Sequence, residues 1–226
     1  MTPVTKKLII TVDGLDGSGK STFARRVFTA LAEGGARPVL FRVDDFRQPV
    51  AWTTPDHEAD QYFDAYYDLA QCEGCLRAFA AGAPRVTIPL YDIGAERVTG
   101  ARPVELAEAD VAVVEGVFPL RMPQAAAGVL IYLEASEAES RRRIVARDLQ
   151  KGRTVDEITR RIDRRYFPSQ RRYRDQFGPR ERADIVIDNE APAAPRVLKR
   201  DLSRLPAPVR DLLDALLPPL EPGSHG

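Results

Sequence analysis

Little in this 226-residue chain is suited to cross-linking or to a structural metal. It has two cysteines and two histidines. A tetrahedral zinc site takes four ligands, and from the thiol and imidazole classes the chain offers only Cys72, Cys75, His57 and His225. Cys72-x-x-Cys75 is open to a redox reading, but two reduced cytosolic thiols is the expectation. Net charge is absent too, with 33 basic against 33 acidic residues. No global field therefore argues for nucleic acid or a membrane surface as partner. No apolar stretch approaches a bilayer span, and there is no internal repeat or low-complexity block. Met1 to Lys7 lead straight into the first apolar run, which leaves no room for a secretory leader, so a cytoplasmic protein is expected. The length suits one α/β domain with an appended tail, large enough to bury a core without disulfides.

What is present is concentrated near the start. Leu8 to Val12 is an apolar, β-branched run that reads as a buried strand. It opens into Gly14-x-x-x-x-Gly19-Lys20-Ser21, and an amphipathic helix carrying Phe23, Val27, Phe28 and Leu31 follows at once. Strand, glycine-rich loop and helix are the order a phosphate-binding loop requires. Gly14, Gly17 and Gly19 let backbone N–H groups turn around a polyphosphate, and the helix N-terminus adds its positive dipole end. Lys20 supplies a point charge for the β- and γ-phosphates, and the Ser21 hydroxyl is placed to ligate Mg²⁺. The chain is expected to bind a nucleoside triphosphate.

Further strands are predicted at Val39–Val43, Val111–Val114, Val129–Leu133 and Ile185–Ile187, with a short extended piece at Val86–Leu90. Helical segments alternate with them, which implies a parallel sheet. Residues 47 to 60 show no clear period, and residues 62 to 81 read as one or two helices. Ligands of such sheets gather outside the carboxyl ends of the strands, and three predicted strands end in acids: Asp44-Asp45, Tyr91-Asp92 and Glu115. They are expected to converge on the loop. Glu115 fits the acid that holds Mg²⁺. Asp44 and Asp45 are candidates for the base that accepts a proton from an attacking hydroxyl, with Asp45 better read as a turn acid. From Arg141 to Arg182 arginines crowd a helical segment. Arg143 and Arg147 share one face, Lys151 extends that stripe until Gly152, and Arg153 follows. Such a segment can cover the phosphates, although most of its arginines are expected simply to pair with acids.

These pieces in this order resemble the uridine kinase-like branch of the P-loop kinases, beside phosphoribulokinase. The matching stretches are Asp13–Thr22, Val43–Phe46, Ile88–Asp92, Val113–Phe118, Arg142–Asp148 and Arg182–Ile187. The resemblance implies an α/β, three-layer P-loop fold with a mainly parallel five-stranded sheet and a helical lid at about 136–180. Residues 1–190 would form the kinase domain and 191–226 a proline-punctuated tail with one helix. ATP and Mg²⁺ would be the cofactors. Gly14, Asp16, Gly17, Ser18, Gly19, Lys20, Ser21 and Thr22 would bind the nucleotide, with Arg143, Arg147 and Arg153 in the lid; Lys20 and Arg147 would also assist transfer. Asp44 would be the catalytic base and touch the metal shell with Ser21 and Glu115. Tyr91 would face the acceptor and Asp68 would hydrogen-bond a sugar diol.

Two positions depart from the uridine kinase pattern. Arg47 stands where an aromatic residue is usual, and no histidine follows Tyr91-Asp92. Arg47 and Arg97 would suit an anionic acceptor. The expected activity is transfer of the γ-phosphoryl group of ATP to a hydroxyl of a small metabolite. A nucleoside such as uridine is the first choice, and a sugar phosphate, pantothenate-like or glycerate-like acid the alternative. A nucleotide-dependent switch is the rival class, but the single asparagine, Asn189, is followed by Glu190, so no Asn-Lys-x-Asp guanine-reading motif exists. Nucleic acid and membrane are not expected partners, and the sequence specifies no oligomeric state.

Overall fold

The structure is a computed structural model that describes residues 7–218. Met1–Lys6 and His225 fall outside that range. The chain runs β1 (Leu8–Gly14), α1 (Lys20–Glu33), β2 (Pro38–Arg42), α2 (Glu58–Asp64), α3 (Leu69–Ala80), β3 (Arg85–Asp92), β4 (Arg97–Glu105) and β5 (Val111–Glu115). It continues through α4 (Pro123–Ala127), β6 (Val129–Glu134), α5 (Glu137–Leu149), α6 (Val155–Arg161), α7 (Phe167–Phe177), α8 (Pro179–Arg182), β7 (Ile185–Asp188), β8 (Arg196–Arg200) and α9 (Ala207–Leu216).

Six strands form one sheet in the order β2-β5-β1-β6-β7-β8. The first five are parallel, as the apolar runs predict, and β8 joins β7 antiparallel at the edge. β8 was hidden in the sequence because an edge strand needs few apolar residues, and only Val197 of its five is buried. The central strands are buried on both faces. Alternate residues of β1, β5 and β6 therefore feed two separate cores. Ile10, Val113 and Ile131 pack under α1 and α9 with Phe23, Val27, Leu31 and Leu213. Ile9, Val114 and Leu130 pack on the opposite face with Leu76, Phe79, Phe118 and Tyr173. Each such side chain contributes roughly 1.5–3 kcal/mol when fully buried.

Register then places the chemistry. Val12 pairs with Glu115 and Arg42 pairs with Glu115, so β1, β2 and β5 end together at one edge of the sheet. The third predicted strand-end acid does not join them. β3 belongs to a separate hairpin with β4, and the Asp92 carboxylate accepts the backbone N–H groups of Gly94 and Ala95 at 2.8 and 2.9 Å in its turn.

The lid begins at α5, where the Ser136 hydroxyl accepts the Glu139 N–H at 3.1 Å. α5 ends at Leu149, so Lys151 lies in the following turn and not on the Arg143/Arg147 stripe. Gly152, at φ 81°, makes that turn, and Thr154 caps α6. A π-helical segment, Ile162–Tyr166, carries the chain into α7. Ile144, Ile158, Ile162 and Phe167 give this segment a small core of its own. Cys72 and Cys75 are buried on α3 with no disulfide between them, and burial pushes both thiols above their ordinary range. Neither is poised as a thiolate. Among the described residues no helix is long and apolar enough to cross a membrane.

Candidate active site

The loop between β1 and α1 is drawn tight by glycine. Gly17 has φ 81°, and a Cβ there would lie 2.6 Å from the Ser140 carbonyl oxygen. Gly19 has φ 101°, and its Cβ would lie 2.6 Å from Asn189 Nδ2. Only glycine takes these backbone angles at such close approach. The loop is also tied from outside. Asn189 Nδ2 donates to the Ser18 carbonyl at 2.6 Å. Gln170 grips Asp16 twice, accepting its N–H at 3.0 Å and donating to its carboxylate at 2.9 Å. Arg143 reaches from α5 to the carbonyls of Gly17 at 3.2 Å, Asn189 at 2.7 Å and Glu190 at 2.9 Å.

Around this loop lies a cleft of about 260 Å³, walled by Asp16, Gly17, Gly19, Lys20, Ser21 and Thr22 from the loop and by Asp44, Glu115, Arg143 and Arg147 opposite. Lys20 Nζ donates to the Leu15 carbonyl at 2.7 Å and lies 3.9 Å from Asp16. Ser21 Oγ donates to Glu115 at 3.1 Å. Burial, and next the Asp44 charge, raise the Glu115 carboxyl above its ordinary value, against the pull of Lys20, Ser21 and Arg42. Two carboxylates and a hydroxyl thus face one space, each carboxylate partly offset by an arginine (Arg42 at 3.4 Å from Glu115, Arg47 at 2.6 Å from Asp44), a hard-oxygen donor set that fits a divalent cation. Three protein groups do not make a resident site, and among the described residues no group of three or more His, Cys, Asp or Glu is placed to hold a metal ion. An ion that arrives with a triphosphate suits them.

A second compartment, about 250 Å³, opens beside the first and shares Asp16, Asp44 and Arg147 with it. Its walls are aromatic and cationic: Tyr62, Tyr66 and Tyr67 from α2 and its sequel, Trp52, and Arg47, Arg161 and Arg165. Asp44 accepts from the Tyr67 hydroxyl at 3.3 Å and pairs with Arg47 at 2.6 Å. Asp45 turns away to pair with Arg102 of β4 at 3.4 Å. A third space of about 250 Å³ lies on the far side of Gly19, between Thr22, Phe23, Leu133, Asn189 and the prolines Pro192, Pro195 and Pro218.

The residues singled out from sequence divide accordingly. Asp16, Gly17, Gly19, Lys20, Ser21, Thr22, Asp44, Glu115, Arg143 and Arg147 come together, with Gly14 and Ser18 behind them as the turn's frame. Arg153 lines the second compartment, not the first, where it pairs with Asp148 at 2.7 Å. Three expected acceptor residues are elsewhere. Asp68 is the N-cap of α3: one carboxylate oxygen accepts the Gln71 N–H at 2.8 Å and the other accepts from Gln48 Nε2 at 3.3 Å. Tyr91 lies in the hairpin outside the compartment wall, and Ile93 of the hairpin turn lines the wall instead. Arg97 is exposed at the hairpin opposite Asp92. Gln170, Asn189, Tyr62, Tyr67 and Arg161 were not read as site residues, because they act only through long-range packing.

The chain matches a known family. The phosphoribulokinase/uridine kinase family model covers residues 9–191. The chain belongs to that family. As a phosphoribulokinase/uridine kinase family member it is an ATP-dependent small-molecule kinase. It superposes on a candidate uridine kinase from Bacillus stearothermophilus with a TM-score of 0.63 at 25% identity, over 80% of this chain and 88% of that one. A candidate fructose transport system kinase from Silicibacter sp. TM1040 gives 0.62 at 24% identity, over 77% and 88%. The second likeness speaks to the fold alone.

Proposed function

We propose that this kinase moves the γ-phosphoryl group of ATP to a hydroxyl held in the aromatic compartment, with Asp44 as the base. The observation that carries the reading is the shared wall: Asp16, Asp44 and Arg147 border both the phosphate cleft and its neighbour. A hydroxyl entering from one side meets a γ-phosphate lying in the other. Its oxygen attacks phosphorus while the bond to the β–γ bridging oxygen breaks. ADP leaves, and the hydroxyl proton passes to Asp44.

Lys20 and the loop amides hold the phosphates, and Arg147 faces the transferring group from the lid. Ser21, Glu115 and Asp44 would hold Mg²⁺, which neutralises developing charge on the phosphate oxygens when bound. Arg143, engaged with loop carbonyls, keeps the loop in shape. Burial matters because charge stabilisation is worth more away from water. Two acceptor classes suit a compartment of this size. Its aromatic residues favour a nucleoside such as uridine, and its arginines favour a hydroxylated acid or phosphate ester.

The test is acceptor-stimulated ADP release with ATP and Mg²⁺, in the wild type and in Asp44→Asn. General-base loss predicts a fall in kcat of about 10²–10⁴-fold with ATP affinity nearly intact. A folded variant that loses ATP binding would make Asp44 chiefly a metal or nucleotide ligand.

A further inference from the structure

The aromatic residues of the acceptor compartment are largely engaged with one another. Tyr62 stacks on Tyr66 with centroids 5.2 Å apart at 24°, and Tyr66 meets the edge of Tyr67 at 4.8 Å. Tyr62 and Tyr67 are only 3% and 8% exposed. One face of Trp52 is covered by the Arg165 guanidinium, 3.6 Å from the ring centroid, and Arg165 itself pairs with Glu58 at 2.5 Å. A nucleobase needs an open ring face to stack on, and the buried Tyr62 and Tyr67 have little ring surface left to offer one.

Positive charge, by contrast, is in excess. Arg147, Lys151 and Arg153 all lean on the single buried carboxylate of Asp148, at 2.7, 3.7 and 2.7 Å. Arg153 and Arg161 share Glu157, at 3.8 and 2.8 Å. Four cations thus divide two carboxylates. Arg147 borders the phosphate cleft as well, whereas Lys151, Arg153 and Arg161 line the second compartment alone. Arg161 Nε is buried without a hydrogen-bond partner among the described residues. A buried donor left so is destabilising, and an incoming oxygen anion that reached it would relieve that cost. Arg47 adds a third demand. It holds Asp44 at 2.6 Å, and a base in that pair is less free to take a proton.

We propose, resting on the kinase reading above, that the acceptor is a hydroxylated metabolite bearing a carboxylate or a phosphate monoester. Lys151 and Arg161 hold its anionic group, which also draws Arg47 off Asp44. Planar guanidinium groups suit either anion through paired N–H donors. A neutral nucleoside offers these groups hydrogen-bond acceptors but no opposing charge, and leaves the Arg47–Asp44 pair closed.

Trp52 is the only tryptophan in the chain and it lines this compartment, so its fluorescence reports occupancy without turnover. The experiment titrates wild-type protein, with ADP and Mg²⁺ filling the nucleotide cleft, using matched probes. Ribose 5-phosphate is set against ribose, D-glycerate against glycerol, and uridine against both anions. At least one anionic probe is expected to saturate the signal at a concentration about tenfold or more below its neutral partner and below uridine. The phosphate and carboxylate arms separate the two anion classes. Arg161→Gln is expected to remove most of that preference, and Lys151→Gln part of it, with circular dichroism unchanged and ATP affinity within about twofold.

Tighter binding of uridine overturns the inference, as does silence of Trp52 to every anion. A preference that survives in both folded variants also overturns it. Anion-selective binding in a protein that phosphorylates none of the probes sustains the inference and counts against the kinase reading. Transfer to uridine without anion preference does the reverse.

Discussion

At the scale of single residues, Asp13 shows most clearly how the site is held. It is the next-to-last residue of β1, fully buried, and its carboxylate accepts the Gly14 N–H at 2.6 Å and the Tyr173 hydroxyl at 2.7 Å. The same hydroxyl accepts the Leu120 N–H at 3.0 Å, so α7 is tied at once to the end of β1 and to the turn that follows β5. Burial raises the Asp13 carboxyl from 3.8 to about 6, against the opposing pull of Tyr173, Gly14 and Lys20. A folded-state value above the unfolded one means that the native state binds the proton more tightly. The stabilisation is complete below about pH 4 and is lost as pH rises through about 6. The loss is on the order of 3 kcal/mol. Urea unfolding of wild type between about pH 4.5 and 7.5 should show this fall, and Asp13→Asn should flatten it. An unchanged slope in the variant would assign the effect to other groups.

Single residues also mark the limit of what sequence patterns reveal. Lys20, Ser21, Asp44 and Glu115 were legible because each follows a strand end or a glycine loop, where local spacing fixes position. Asp68 was misplaced because an acid before a helix is equally a cap, and the Gln71 N–H claims it. Arg161 and Gln170 carried no local signal. Their roles come from a lid that folds back over a loop more than a hundred residues earlier in the chain.

Among the elements, α5 acts as a brace for the phosphate loop as much as a cover for it. Arg143 and Arg147 share a helix face, as their spacing predicts, yet they do different work. Arg143 donates to carbonyls of the loop and of the segment after β7, whereas Arg147 faces both clefts. Removing Arg143 leaves those carbonyls to water and loosens the loop that wraps the phosphates. Arg143→Ala is therefore expected to raise the KM for ATP by about tenfold while the acceptor KM changes by less than about twofold. A loss confined to kcat would instead give Arg143 a direct hand in transfer. The strands of the sheet were legible as continuous apolar runs. The β3–β4 hairpin was half seen, since the charged, exposed β4 lacks the buried pattern that betrays a strand.

Across the whole molecule, one sheet edge gathers the carboxyl ends of β1, β2 and β5, and the lid and the α2 region complete two adjoining chambers over it. The order of motifs pointed to the family that the chain belongs to. The second chamber was less legible because its walls come from separated segments, and no local spacing joins Arg47, Trp52, Tyr62 and Arg161. If these chambers pass the γ-phosphoryl group of ATP to a small molecule and not to water, phosphorus-31 NMR of wild-type protein with ATP, Mg²⁺ and the preferred probe acceptor will show it. The γ-phosphate signal is expected to be replaced by a phosphomonoester signal matched one for one by ADP. Conversion to inorganic phosphate at a rate indifferent to any acceptor would contradict that expectation and favour a nucleotide-hydrolysing switch.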